Sequence, residues 1–174
     1  MTEEAAVWNR LAALLPEAGA EGVRDCWSIG EQEAGLALLV SGLLAHQVPI
    51  SETVRAEISV IAEGWGERET LTPQLLQCRG DGKPSRVRLV EAGVEAVAGA
   101  DVLVPWIACE RCGRVLARAH TREPWGLSLR ARSYVITSPT RDAAVRQFPA
   151  DSADPAGDAF ATLLASCAQH ATDS

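Results

Sequence analysis

Two short motifs place metal-binding side chains at the spacing of a zinc site. The first is Cys109-Glu110-Arg111-Cys112-Gly113, and the second is Cys167-Ala168-Gln169-His170 near the C-terminus. Two sulfurs three positions apart can bind one ion, because the intervening turn brings them to the same side. A glycine after the second cysteine supplies the positive φ that such a turn often needs. Cys109, Cys112, Cys167 and His170 therefore predict a structural, tetrahedral Cys3His site for Zn²⁺.

The same cysteines leave two other interpretations open. A Cys-x-x-Cys pair also occurs as a redox dithiol, and cysteines are often inert residues of a hydrophobic core. Cys26 and Cys78 have no partner at ligand spacing and lie in apolar, helical surroundings. We expect these two to be core residues.

Catalytic chemistry has little support in the sequence. A zinc ion held by four protein ligands has no open position for an activated water. His46 is expected to lie exposed at the end of a helix and His120 on the surface after a strand, whereas His170 is assigned to the metal. The phosphate-binding glycine loop, the nucleophile elbow and the deaminase signature are all missing from the sequence. We therefore expect the protein not to be an enzyme.

The elements that must position these side chains divide the chain in two. Residues 1–78 carry apolar residues at helical spacing, most clearly Leu36, Leu39, Val40 and Leu43. This half is predicted to be a bundle of four to five helices, with helices at 4–15, 17–27, 31–47, 52–63 and 69–77. Residues 79–85 are rich in turn formers and predict a linker.

The second half, residues 86–174, has a different pattern. Short apolar or alternating runs predict strands, and a last helix is expected at 156–168. Residues 91–99 are ambiguous, and 138–158 hold three prolines and predict a long surface loop. The fold class is therefore α+β: a helical bundle, then a small antiparallel sheet with a zinc-ribbon-like site and a C-terminal helix. The strands are expected at 87–90, 102–107, 115–119 and 127–136.

Charge is distributed unevenly along the chain. Residues 1–78 contain 12 acidic and 4 basic residues, 79–150 contain 7 and 12, and 151–174 contain 4 and none, which gives −8, +5 and −4 and a total of −7. This asymmetry favours two modules with different surfaces, or two halves that pack on each other through complementary charge. The acidic start is unlike a signal peptide, and no apolar run reaches the ~20 residues that span a bilayer. We expect a cytoplasmic protein with no membrane contact.

Each half resembles a known class of protein. Residues 102–170, with the two metal-ligand motifs, resemble zinc-ribbon domains. Residues 28–66, with Gly30-Glu31 before a helix, Val48-Pro49-Ile50-Ser51 and Gly64-Trp65-Gly66, resemble the small helical MafI-type immunity proteins of bacterial polymorphic toxin systems. The second resemblance implies a cytoplasmic protein that binds and blocks a toxin domain, without catalysis.

Two binding functions follow as hypotheses, and the sequence leaves the oligomeric state open. In the first, the acidic half binds a basic protein such as a toxin domain, because complementary charge accelerates association and selects partners. The expected contacts are Glu31, Glu33, Glu52, Glu57 and Glu63. In the alternative, the zinc module binds nucleic acid through Arg118, Arg130 and Arg132, with Trp106, Trp125 and Tyr134 available for stacking on bases.

Overall fold

The computed structural model describes residues 3–90, 96–98, 101–140 and 143–169. The chain divides into two compact units, Met1–Lys83 and Pro84–Ser174, and the division falls within the segment 79–85. The first unit is helical, and the second combines an antiparallel sheet with a C-terminal helix. The predicted α+β fold class is confirmed.

Five helices form the first unit. Capping residues set where they begin. At the start of the helix Glu52–Gly64, the Ser51 hydroxyl accepts a hydrogen bond of 3.2 Å from the Val54 N–H and caps the helix. None of the described helices is both long and apolar enough to cross a membrane. The helices are α1 (Glu3–Ala12), α2 (Glu17–Ser28), α3 (Gln32–Ala45), α4 (Glu52–Gly64) and α5 (Arg68–Gln77).

Two tryptophans and two glycines explain how α1, α2 and α3 pack. Trp8 of α1 is buried and stacks on Trp27 of α2 with ring centroids 5.3 Å apart. A Cβ at Gly35 would lie 3.1 Å from the Trp8 ring, and one at Gly42 would lie 2.9 Å from Leu15 Cδ1. Glycine at these two positions lets α3 approach its neighbours closely, which places Leu36, Leu39, Val40 and Leu43 in the core.

A buried arginine joins α4 to the end of α5. Arg55 is 5% exposed and donates hydrogen bonds to the carbonyl oxygens of Leu75 and Cys78, the latter at 2.9 Å. Its Nε also donates to Glu52 Oε1 at 3.0 Å. The last carbonyls of a helix lack partners within the helix, so the Arg55 guanidinium supplies the donors that the C-terminus of α5 requires.

The second unit is built on an antiparallel sheet with the strand order β1-β3-β4-β6-β7; β2 pairs with β3, and β5 with β4. The register of β3 shifts between Pro105 and Ile107, so Trp106 lies at a bulge. The helix α6 (Pro155–Gln169) contacts β3, β4, β6 and β7. The strands are β1 (Val87–Leu89), β2 (Ala96–Ala98), β3 (Asp101–Cys109), β4 (Val115–Glu123), β5 (Gly126–Leu127), β6 (Ser133–Thr137) and β7 (Ala144–Pro149).

Two predictions for this unit are wrong. The strand expected at 127–136 is split: Leu127 belongs to a hairpin with β4, and β6 begins only at Ser133. The loop expected at 138–158 contains β7, which pairs with β6. All of β7 except Phe148 is exposed, and its proline stands at the end of an edge strand, where a missing N–H is tolerated. Of the ambiguous stretch 91–99, residues 91–95 and 99 lie outside the described residues.

Candidate functional site

The first pair of predicted zinc ligands lies in the turn between β3 and β4. Cys109 ends β3 and is 2% exposed, whereas Cys112 is half-buried in the turn. The Gly113 N–H donates to the Cys109 carbonyl at 3.0 Å, and the Cys109 N–H donates to the Arg114 carbonyl at 2.9 Å. Gly113 has a φ of +69°, as expected for the residue after the second cysteine. The tight turn fits a Cys-x-x-Cys metal half-site.

The oxidation state of Cys109 determines whether this residue can bind a metal. Cys109 takes part in a disulfide, whereas Cys26, Cys78 and Cys112 do not. A disulfide sulfur has no thiolate to offer, so Cys109 can bind a metal only after reduction. Cys167 lies in α6, but its side chain is outside the described part of the chain. The whole of His170 is outside it as well. Among the described residues, no three His, Cys, Asp or Glu side chains converge as a metal site.

The five glutamates predicted to contact a partner fall into two groups. Glu31 and Glu33 are exposed at the start of α3. Glu52 binds Arg55, and Glu57 forms an ion pair with Arg10. Glu63 also lies on α4. The alternation with apolar residues on this helix predicts that Glu57 and Glu63 face outward, but both are only partly exposed, because α4 is buried on most of its circumference.

The arginines of residues 1–78 are all used within the helical unit. Arg10 pairs with Glu57, and Arg24 pairs with Glu17 at 3.2 Å. Arg55 pairs with Glu52 at 3.0 Å, and Arg68 with Glu69 at 2.7 Å. Since residues 1–78 contain 12 acidic and 4 basic residues, 12 − 4 leaves 8 acidic side chains in excess of these pairs. Four of the eight, Glu21, Asp25, Glu31 and Glu33, are exposed on α2, on α3 or in the turn between them.

The outer side of the α2–α3 pair combines these acids with apolar surface. Its exposed members are an acidic row on α2 and a largely apolar row on α3; we call this the α2–α3 surface. The sequence prediction did not include it, because Leu38 lies outside the apolar stripe of Leu36, Leu39, Val40 and Leu43. The available signal was the spacing of four between successive acids on α2. The α2–α3 surface consists of Glu17, Glu21, Asp25, Ala37, Leu38, Ser41 and Ala45.

The residues proposed for nucleic-acid contact do not form one exposed face. Arg118 lies in β4 and is 6% exposed, whereas Arg130 and Arg132 are exposed in the loop before β6. Trp106 and Tyr134, expected to stack on bases, are buried against each other with ring centroids 5.9 Å apart. Trp125 alone of the three aromatic residues is exposed.

His120 lies within β4 and is buried, which corrects the expectation of a surface position. Its Nδ1 lies 2.8 Å from the Ser128 carbonyl oxygen, so Nδ1 carries the proton and donates. The Nε2 atom is buried and has no hydrogen-bond partner among the residues that the structure describes. Val102 lies opposite His120 in the register of β3 and β4. Its side chain is apolar and supplies no hydrogen-bond partner. The described contacts of His120 are therefore those of a residue of the sheet interior.

A comparison with protein-family models, curated proteins and solved structures finds no match for this chain.

Proposed function

We propose that the protein is a non-enzymatic binding protein of the immunity type, acting in the cytoplasm, whose acidic helical unit binds and blocks a basic toxin domain. One observation carries the proposal. Residues 1–78 of the unit hold their four arginines in internal ion pairs and keep a cluster of exposed carboxylates on α2 and α3. Such a cluster attracts a basic protein over about a Debye length, roughly 8 Å at physiological salt.

The zinc prediction belongs to the same proposal in a structural role. Cys109, Cys112, Cys167 and His170 would hold Zn²⁺ once Cys109 is reduced, and the ion would tie the β3–β4 turn to the end of the chain. The close turn with Gly113 at positive φ supports the first half of this ligand set. A site with four protein ligands supplies stability and no reaction.

The experiment that tests the function uses the source cell of the protein. The tagged chain is recovered from that cell, and its partner is identified and produced alone in a neutral host. We expect a basic protein that stops growth when produced alone and is harmless together with this chain. A partner that is harmless by itself would contradict the toxin-blocking part of the proposal.

Nucleic-acid binding by the second unit remains the alternative. It is supported by the 81% exposure of Trp125, close in sequence to the exposed Arg130 and Arg132. A single-stranded oligonucleotide would stack on the indole and pair with the guanidinium groups. Filter binding that weakens in Trp125→Ala and in Arg130→Ala would favour this function, and unchanged retention in both variants would reject it.

A further inference from the structure

The helix α3 has an apolar face that the unit leaves exposed. Only Gln32, Glu33 and Ser41 are polar among its 14 residues. A helix that is apolar all round is normally covered on all sides. Here Leu38 is 47% exposed, and Ala37 and Ala45 are also exposed.

The single polar residue in the middle of this face does not make it hydrophilic. The Ser41 hydroxyl donates to the Ala37 carbonyl of its own helix at 2.6 Å. Its donor is therefore satisfied without water or a partner. The exposed side of α3 consequently offers an almost continuous apolar strip to whatever binds it.

A groove of about 330 Å³ runs between this strip and α2. Small residues of both helices line it together with Leu15, Leu38 and His46. The space beside Gly42 is filled by Leu15 and that beside Gly22 by Leu38, so the groove is shallow and apolar. The lining includes Ala18, Gly19, Gly22, Leu38, Gly42 and Ala45.

Charge identifies what the groove accepts. Glu17, Glu21 and Asp25 follow one another at intervals of four residues on α2, so they form one exposed row on that helix, and Glu17 is paired with Arg24. Residues 17–46 contain five acidic residues and one basic residue, Arg24. A helix with an apolar side for α3 and Lys or Arg beside it for α2 matches both rows.

We propose that the α2–α3 surface is the docking site for a basic amphipathic helix of the partner protein, an inference that rests on the proposed function. The apolar side of that helix lies on Ala37, Leu38 and Ala45, and its cations face the acidic row of α2. A second copy of this chain would place its own carboxylates against the acidic row of α2 and be repelled. An anionic membrane or a nucleic acid would be repelled by the same carboxylates.

The direct test uses a synthetic peptide of about 18 residues, long enough for a helix, with Leu and Ala on one face and Lys beside it. It is titrated into the ¹⁵N-labelled full chain, and a second peptide has Glu in place of every Lys. We expect the Lys peptide to bind and to shift the amide resonances of residues 17–46 most, and the Glu peptide not to bind. Absence of binding by the Lys peptide, equal binding of both peptides, or shifts centred elsewhere would overturn the proposal.

Two variants and a matched control sharpen the result. Leu38→Asp and the double variant Glu21→Lys/Asp25→Lys should each weaken Lys-peptide binding by about tenfold or more. The control Glu4→Lys/Glu69→Lys makes the same change of charge on α1 and α5 and should bind as the parent does. The double variant keeps the test valid if Leu38→Asp fails to fold. Equal losses in the control and the double variant would overturn the docking site.

The same variants separate this inference from the proposed function. If a toxic partner recovered from the source cell binds the Glu21→Lys/Asp25→Lys variant as tightly as the parent, the docking site is wrong and the proposed function stands. If the recovered partner is harmless by itself, the proposed function is wrong, whatever the peptide does. Sedimentation of the parent as a dimer that Leu38→Asp dissociates would show that a second copy occupies the groove and would overturn the proposal.

Discussion

Arg55 shows how much one side chain contributes to the helical unit. Its guanidinium is almost inaccessible to water, yet three acceptors surround it: the Leu75 and Cys78 carbonyls and the Glu52 carboxylate. A buried charge is tolerated only when it is paired and hydrogen-bonded in this way. Arg55 therefore fixes the position of the segment that follows α5 relative to α4.

Replacing Arg55 by methionine should lower the free energy of unfolding by about 2–3 kcal/mol, because the Cys78 carbonyl loses its donor and the Leu75 carbonyl keeps only the Cys78 N–H. Urea denaturation measures the change. The control Arg24→Met removes a surface pair with Glu17 and should cost less than about 0.5 kcal/mol. A smaller loss for Arg55→Met than for Arg24→Met would contradict the role assigned to the buried arginine.

Cys78 makes stability depend on pH in the alkaline range. Burial raises the pKa of its thiol above the ordinary value of a cysteine, although the nearby Arg55 charge acts in the opposite direction. The folded state therefore holds the proton more tightly than the unfolded state. The resulting stabilisation is fully present below the unfolded-state pKa and is lost as the pH rises through the folded-state pKa.

As the pH rises above the ordinary range of a thiol pKa, the parent should therefore lose stability more steeply than the Cys78→Ala variant. Urea denaturation at a series of pH values measures both slopes, and the comparison cancels the titration of other groups. Parallel pH curves for the parent and Cys78→Ala would contradict a raised pKa at this thiol.

At the scale of elements, the start of α4 depends on one hydroxyl. Ser51→Ala removes the acceptor for the Val54 N–H and should lower the free energy of unfolding by about 1 kcal/mol. Thermal or urea denaturation measures the loss. Ser41→Ala is the matched control, because the Ser41 hydroxyl only bonds carbonyls of its own helix. Equal effects of the two substitutions would show that Ser51 is not an effective cap.

The helices were predictable from the sequence, and part of the sheet was not. Regular apolar spacing with caps and prolines marked the five N-terminal helices to within a few residues. The strand β7 was missed because its sequence, Ala-Val-Arg-Gln-Phe-Pro, is mostly solvent-exposed and holds a proline. An edge strand pairs through its backbone, so its side chains carry little signal of the pairing.

The candidate binding residues show a similar limit. Glu31 and Glu33 were named from the sequence and are exposed. The pair of Glu52 with Arg55 has the i,i+3 spacing of one helix and was accessible from the sequence, whereas the pair of Glu57 with Arg10 joins α4 to α1 and could not be foreseen. The charge of the sequence alone identified the acidic half. The exposure of the carboxylates on α2 and α3 and of Leu38 could be recognised only in the tertiary structure.

For the whole molecule, the metal is the first question to settle. Protein purified under reducing conditions without chelators should contain about one zinc per chain by elemental analysis. Cys112→Ser should lose the metal because it removes one thiolate ligand, and the control Cys26→Ser should retain it. Zinc that is absent from the reduced parent, or unchanged in Cys112→Ser, would contradict the Cys3His site.

The central claim is that the acidic helical unit binds a basic protein, and the association rate with the partner recovered from the source cell tests it most directly. The rate is measured by stopped flow for the parent and for a Glu21→Lys/Asp25→Lys/Glu31→Lys variant. It is measured at about 50 and about 300 mM salt, between which the Debye length shortens about 2.4-fold. We predict that the parent rate falls about tenfold or more with salt. The variant should associate slowly at both concentrations, with a melting temperature within a few degrees of the parent. Equal rates for the two proteins, unaffected by salt, would contradict the claim.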